Sequence, residues 1–207
     1  MNIITISREF GSGGRELGKR LADLLGYDYY DSEIIAAIAE KSGLDKGYIE
    51  KALDQHGWQN YPITFHSSFM SPSYTDPNRV ELLLDQKTVL EEIAAQGKNC
   101  IIIGRNADVL LERFKPFRIF VCAEMEAKIK RCFERAPKEE NLTEKEMRRK
   151  IKQVDKARAQ TRAILSGSSW GDPEGYHLTI NTTGWDLKEL AKALAGFTTA
   201  YFESQKD

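Results

Sequence analysis

Short apolar runs alternate with helical periodicities along most of this chain. Residues 2–6 (NIITI), 27–30 (YDYY), 100–104 (CIIIG), 117–122 (FRIFVC) and 176–181 (YHLTIN) have the length and composition of strands. Leu17, Leu21, Leu24 and Leu25 share a helical face that stops at Gly26, a residue suited to a left-handed C-terminal cap. Ile34, Ile35 and Ile38 form a second face, and Val80, Leu83, Leu84, Leu90 and Ile93 a third that ends before Gly97. Residues 124–135, 143–165 and 186–202 add three more helices. Strands alternating with helices predict an α/β fold with a parallel sheet covered on both faces. Such a sheet holds its ligand at the carboxyl ends of its strands.

Two stretches interrupt the rhythm. Residues 55–78 are rich in aromatics, Ser and Pro and show no period. Five aromatics there (Trp58, Tyr61, Phe65, Phe69, Tyr74) argue against a simple disordered linker, and the segment reads as a cover for a substrate or as a packed excursion. Residues 135–142 (RAPKEENL) are polar and lie between two long helices, as a hinge or lid would.

Composition narrows the partners. The net charge of the 207 residues is −1, so there is no global basic field for nucleic acid or an anionic membrane. Any basic site must be local. No apolar run reaches the roughly 18 residues of a membrane span, and the N-terminus lacks a signal-peptide pattern. Cys100, Cys122 and Cys132 are odd in number and lack metal-ligand spacing. They fit reduced thiols in a cytoplasmic compartment.

The glycines of residues 6–18 (ISREFGSGGRELG) follow the first strand and open the first helix. Gly11, Gly13 and Gly14 let backbone amides approach an anion, and the helix dipole adds attraction. This is the composition of a phosphate cradle. The pattern G-x-x-x-x-G-K-[ST] is nevertheless met at one fixed position, Gly13. Arg8 falls on the first glycine, Gly14 on the lysine and Arg15 on the hydroxyl residue. The dinucleotide pattern G-x-G-x-x-G fits at Gly11 and Gly13 and fails at Glu16. A bare strand-to-helix turn is the alternative.

Residues 144–162 hold eight Lys or Arg against three acids. Thr143 and Glu146 have capping-box spacing. Met147, Ile151 and Val154 form the apolar stripe, Arg158 falls within it, and Asp155 and Arg162 lie on its edge. An inward arginine needs an anionic partner. Asp155 could serve at i to i+3, but Arg158 and Arg162 repel one another unless an anion such as a phosphate lies near. The alternative is a structural Asp155–Arg158 pair with Arg162 in solvent. Arg105 follows the apolar strand IIIG and projects near its carboxyl end, where a ligand or a structural acid would meet it.

With these segments in order, the chain resembles the cytidylate kinase-like family. The carriers are ISREFGSGGRELGKRLADLLGYDYYDSEII, then IIIGRNAD, then the D-x-x-R of Asp155 to Arg158 with INTTG beyond it. The resemblance implies a P-loop kinase fold with a five-stranded parallel sheet flanked by helices. It implies one domain, with core residues 1–46, 79–135 and 164–207, an acceptor-binding insert at about 47–78 and a lid at about 136–163. It implies transfer of the terminal phosphate of ATP, with Mg2+, to a nucleoside monophosphate such as CMP. Gly11, Ser12, Gly13, Gly14 and Arg15 would hold the donor phosphates, and Arg131 with Arg135 would reach the donor. Asp31 and Ser32 match the acceptor site, Arg105 an arginine on the acceptor phosphate, and Asp155 and Arg158 residues near its sugar and phosphate. Arg162 joins the acceptor-side candidates. Arg15, Arg105 and Arg158 are the expected catalytic charges, with Arg15 in place of the lysine.

The chain departs from the cytidylate kinases proper at the P-loop lysine, at EIIAA after Asp31–Ser32, at Ile103 and Asn106, and at Ile151 and Lys152. A non-catalytic nucleotide- or phosphate-binding protein of the same fold and a kinase acting on another small molecule therefore stay as alternatives. A dinucleotide-dependent oxidoreductase is the weaker third. Metal ligands and oligomeric state are left open.

Overall fold

The computed structural model describes residues 1–43, 46, 77–135 and 142–205. In chain order the main elements are β1 Ile3–Arg8, α1 Gly14–Leu25, β2 Asp28–Tyr30, α2 Ser32–Ser42, α3 Pro77–Ala95 and β3 Cys100–Ile103. They continue with α4 Ala107–Leu110, β4 Phe117–Cys122, α5 Met125–Arg135, α6 Glu144–Ser166, β5 Leu178–Asn181 and α7 Leu187–Ser204. The sheet order is β2-β3-β1-β4-β5, with every pairing parallel. β1 lies at the centre, with Ile4 opposite both Ile101 of β3 and Phe117 of β4. The chain moves outward from β1 to β2 and later crosses to β4 and β5, so the order reverses at β1. A parallel sheet forms its ligand crevice at that reversal.

Alternation along the strands builds two cores. Ile4, Ile6, Ile101 and Ile103 face α1 and α7, whose Leu17, Leu21, Leu190 and Leu194 complete that layer. Ile3, Cys100 and Ile102 face α2 and α3, which bring Ile34, Ile38, Leu82 and Leu90. A third cluster joins α5 and α6 through Ile129, Cys132, Met147, Ile151 and Val154, and it includes Phe10 of the glycine loop. Burying one such aliphatic side chain stabilises the fold by about 1.5–3 kcal/mol.

The elements expected from sequence match to within a few residues, but Leu24 on the first expected face and Val80 and Leu84 on the third are exposed, because each lies off the stripe that meets the sheet. α1 ends at Gly26 in the left-handed conformation. α6 starts with both halves of the Thr143–Glu146 capping box. Cys100, Cys122 and Cys132 form no disulfide among the described residues, and Cys100 and Cys132 are buried. The aromatic stretch at 55–78 and the hinge at 135–142 fall almost wholly outside the described residues, as does the body of the expected insert. No described helix is long and apolar enough to cross a membrane.

The β4–β5 edge carries a titratable joint. His177 Nδ1 accepts the Arg118 amide at 2.9 Å, and the ring stacks on Phe117 at 5.3 Å. Partial burial, then the charge of Arg118, push the imidazole below its ordinary 6.5. The unfolded chain therefore binds the His177 proton more readily, and stability falls as pH drops from 6.5 through the lowered folded value. Urea midpoints at pH 7.5 and pH 5 should differ less in His177→Asn than in the native chain. An unchanged difference would remove His177 from the pH response.

Candidate active site

β1 ends at Arg8, and α1 begins at Gly14 after a loop of residues 9–13, so the glycine loop lies at the carboxyl edge of the central strand. Gly11 and Gly13 take φ of 77° and 83°, a region open to glycine without steric cost. No side chain caps the start of α1. The Gly14 amide reaches Ser12 Oγ at a long 3.4 Å, and the helix dipole favours an anion at this end.

The loop is fastened from several directions. Glu9 N donates to Val121 O at 2.9 Å, and Glu9 Oε2 accepts from Ala123 N at 3.1 Å and Lys128 Nζ at 3.0 Å. Asp155 Oδ1 accepts the Phe10 amide at 2.7 Å, while Oδ2 lies 3.4 Å from Lys128 Nζ. Ser12 O accepts from Thr182 Oγ1 at 2.6 Å and from Arg131 Nη1 at 3.2 Å. Arg131 Nη2 also donates to Thr182 O at 2.7 Å. Ser12 Oγ donates to Glu9 O at 2.8 Å, so this hydroxyl serves the loop's own turn.

Arginines gather at the loop's open side. The Arg15 Nε pairs with Asp31 Oδ2, and Arg8 Nη2 lies 3.8 Å from Asp31 Oδ1. Asp31 precedes α2 and is buried, and its Oδ1 accepts no hydrogen bond among the described residues. Arg158 Nη1 donates to Arg8 O at 2.8 Å and lies 3.6 Å from Asp155 Oδ1. Burial, then the neighbouring charge of Arg8, and further those of Arg105 and Arg15, push Arg158 below the usual guanidinium range, against the pull of Asp155. Arg8 moves the same way, again through burial first, opposed by Asp31. Burial raises Asp155 above the usual carboxylate range, opposed by Arg158, the Phe10 amide and Lys128.

Arg105 is buried at the end of β3 in a left-handed backbone with φ of 59°, between Gly104 and Asn106 in the same region. Three successive residues of this kind form a left-handed turn that is costly outside glycine. The buried Gln86 amide donates to Arg105 O at 2.8 Å and holds the turn.

The structure thus brings Asp31, Arg15, Arg105, Asp155 and Arg158 to one end of the sheet. Ser32 is exposed at the start of α2. Arg131 grips the loop carbonyl and Thr182, and Arg135 pairs with Glu16. Arg162 is elsewhere. It is neither in solvent nor sharing an anion with Arg158, because it forms a buried pair with Asp108 and donates to Ser168 Oγ at 2.9 Å. Each helical arginine has its own aspartate, which removes the repulsion the sequence suggested. Sequence reading missed Arg8, Glu9, Lys128 and Asp108. Arg8 carried a signal, since it occupies the first glycine position of the phosphate-loop pattern.

A model of the cytidylate kinase-like family matches residues 3–184. The chain belongs to that family. A cytidylate kinase of Haloarcula marismortui is 23% identical over 185 residues, covering 89% of this chain and 82% of that relative. Among solved structures, an uncharacterized protein from Eubacterium ventriosum is similar at 22% identity and TM-score 0.69, over 95% of this chain and 98% of that one. A shikimate kinase from Acinetobacter baumannii in complex with shikimate is similar at 16% identity and TM-score 0.55, over 97% and 94%. These structural likenesses establish the P-loop kinase fold. Against the G-x-x-x-x-G-K-[ST] pattern, the glycine loop carries Gly14 at the lysine position.

The Asp108–Arg162 pair ties α4 to α6 beneath the site. Removing one partner of a buried pair leaves an uncompensated charge, at a cost of about 3–5 kcal/mol. Arg162→Met should lose stability of that order in urea denaturation. A loss under about 1 kcal/mol, typical of an exposed pair, would contradict the burial assigned to it.

Proposed function

We propose that this chain transfers the terminal phosphoryl group of a nucleoside triphosphate to a small acceptor. ATP is the donor and a nucleoside monophosphate such as CMP the leading acceptor, both by family membership. One observation supports the chemistry most. The guanidinium groups of Arg8, Arg15 and Arg105 all act on Arg158 at the open side of the P-loop, with Asp31 and Asp155 as the carboxylates between them. Phosphoryl transfer asks for in-line positioning and positive charge, and for little covalent chemistry from the protein.

The roles follow from position. The amides of Gly11, Gly13, Gly14 and Arg15 cradle the donor phosphates, while the Ser12 amide donates to Glu9 O at 3.3 Å within the loop's own turn. Arg131 acts behind the loop, holding Ser12 O so that those amides face outward. Arg105 and Arg158 supply charge on the acceptor side, where Asp31 and Ser32 lie. Mg2+ would enter on the donor phosphates, neutralising charge there. Arg15 stands at the usual hydroxyl position and Ser12 Oγ is engaged with Glu9 O, so the loop adds no free hydroxyl to the ion.

Asp31 favours a second reading of the acceptor. A buried carboxylate with an unused oxygen repels an incoming phosphate and accepts a hydrogen bond from a hydroxyl. An alcohol acceptor would satisfy Oδ1 directly.

The discriminating assay follows ADP formation from ATP and Mg2+ with a panel of nucleoside monophosphates and of small polyols and hydroxy acids. Turnover with a monophosphate is expected. Turnover with hydroxyl compounds alone would favour the second reading. ATP binding without turnover on any acceptor would leave a nucleotide-binding protein in place of a kinase.

A further inference from the structure

Arg8 explains why two glycines stand where they do. A Cβ on Gly14 would lie 2.7 Å from Arg8 Cβ and 3.2 Å from its Cγ. The Arg8 stem therefore runs across the first residue of α1, over the place where a P-loop lysine would emerge. Further out, a Cβ on Gly104 would fall inside the Arg8 guanidinium. Arg8 thus crosses from the loop to the end of β3, next to the left-handed turn that carries Arg105.

Its charge is poorly used by the protein itself. A guanidinium offers five donors. Among the described residues, the nearest carboxylate to Arg8 is Asp31 at 3.8 Å, beyond hydrogen-bond distance. Arg8 is nonetheless largely buried, with 12% of its side chain exposed. None of its nitrogens is a sealed, unpartnered donor, so the side chain keeps a solvent-facing edge open to an incoming anion. Arg15 differs on each point. It is 42% exposed, and its Nε is bound to Asp31 Oδ2. Arg158 spends Nη1 on the Arg8 carbonyl.

We propose that Arg8 carries the charge of the missing P-loop lysine and binds the terminal phosphoryl group of the donor nucleotide. The lysine and the first glycine of the pattern have exchanged character: the cation moved to the end of β1, and the glycine moved to the start of α1. The exchange makes Arg8 reach the same volume from the opposite side. Arg15, held by Asp31, is a rim charge and not the lysine's replacement. This inference rests on the phosphotransferase reading above.

Reversing the exchange tests it. Gly14 has helical backbone geometry and can accept a lysine once Arg8 is removed. The next nearest atom is then Val121 Cβ at 3.2 Å, which has to give by a few tenths of an ångström. MgATP affinity is measured by calorimetry, with thermal unfolding as a fold control, for the native chain, Arg8→Gly, Gly14→Lys and the double variant. Arg8→Gly should weaken MgATP binding about 10- to 100-fold, the worth of a lost charge-assisted bond. Gly14→Lys alone should lower the melting temperature, because its Cβ meets Arg8. The double variant should recover most of the lost affinity. Arg8→Met, which keeps volume without charge, replaces Arg8→Gly as the single variant if that one does not fold; the double variant keeps glycine at position 8, because a Cβ there would meet the lysine's. Native affinity in Arg8→Gly or Arg8→Met, or a folded double variant with no recovery, overturns the assignment of Arg8 alone. Absence of MgATP binding in the native chain overturns the phosphotransferase reading, and this inference with it.

Discussion

Like charges held close together in a protein interior must be balanced, and that constraint organises this molecule. Arg8, Arg15, Arg105 and Arg158 crowd one end of the sheet, where each guanidinium raises the cost of its neighbours. Asp31 and Asp155 offset part of the repulsion from opposite sides, Asp31 from the start of α2 and Asp155 from α6. The remainder is positive charge directed at the loop. A site so arranged is destabilising when empty and favourable when it holds an anion, as a phosphate-binding enzyme requires.

The same groups that balance charge also fix the loop. Lys128 joins Glu9 to Asp155, Asp155 takes the Phe10 amide, and Arg131 joins Ser12 to Thr182. β4, α5, α6 and the turn after β5 therefore all bear on one short loop, residues 9–13. Amides positioned in advance bind a transferring group without reorganisation during the reaction. α6 contributes twice, since Arg158 holds the Arg8 carbonyl while Asp155 holds the next turn.

The layers of the fold were legible because they follow from local periodicity. The apolar runs of β1 and β3, the Thr143–Glu146 capping box and the Met147–Ile151–Val154 stripe are all read within one element. Arg158 was legible for the same reason, as an arginine lying in an apolar stripe with Asp155 one turn before it. What sequence hid were contacts between distant segments. Arg162 meets Asp108 across 54 residues, and Lys128 meets Glu9 across 119. Periodicity gives the face a residue occupies and not the partner that face meets. The lysine-less loop shows the same limit: Arg15 is the cation adjacent to the gap in sequence, while in space the Arg8 side chain passes between Gly14 and Gly104, the placement on which its proposed role rests.

The central claim is that the arginines at this loop, Arg8 first among them, are arranged for the terminal phosphate of a nucleotide. A crystal structure with Mg2+ and a non-hydrolysable ATP analogue tests it most directly. The account predicts Arg8 guanidinium nitrogens within hydrogen-bond distance of terminal phosphoryl oxygens, with Arg15 still on Asp31. A terminal phosphate held by Arg15 or another cation, with Arg8 left against Asp31, would contradict it.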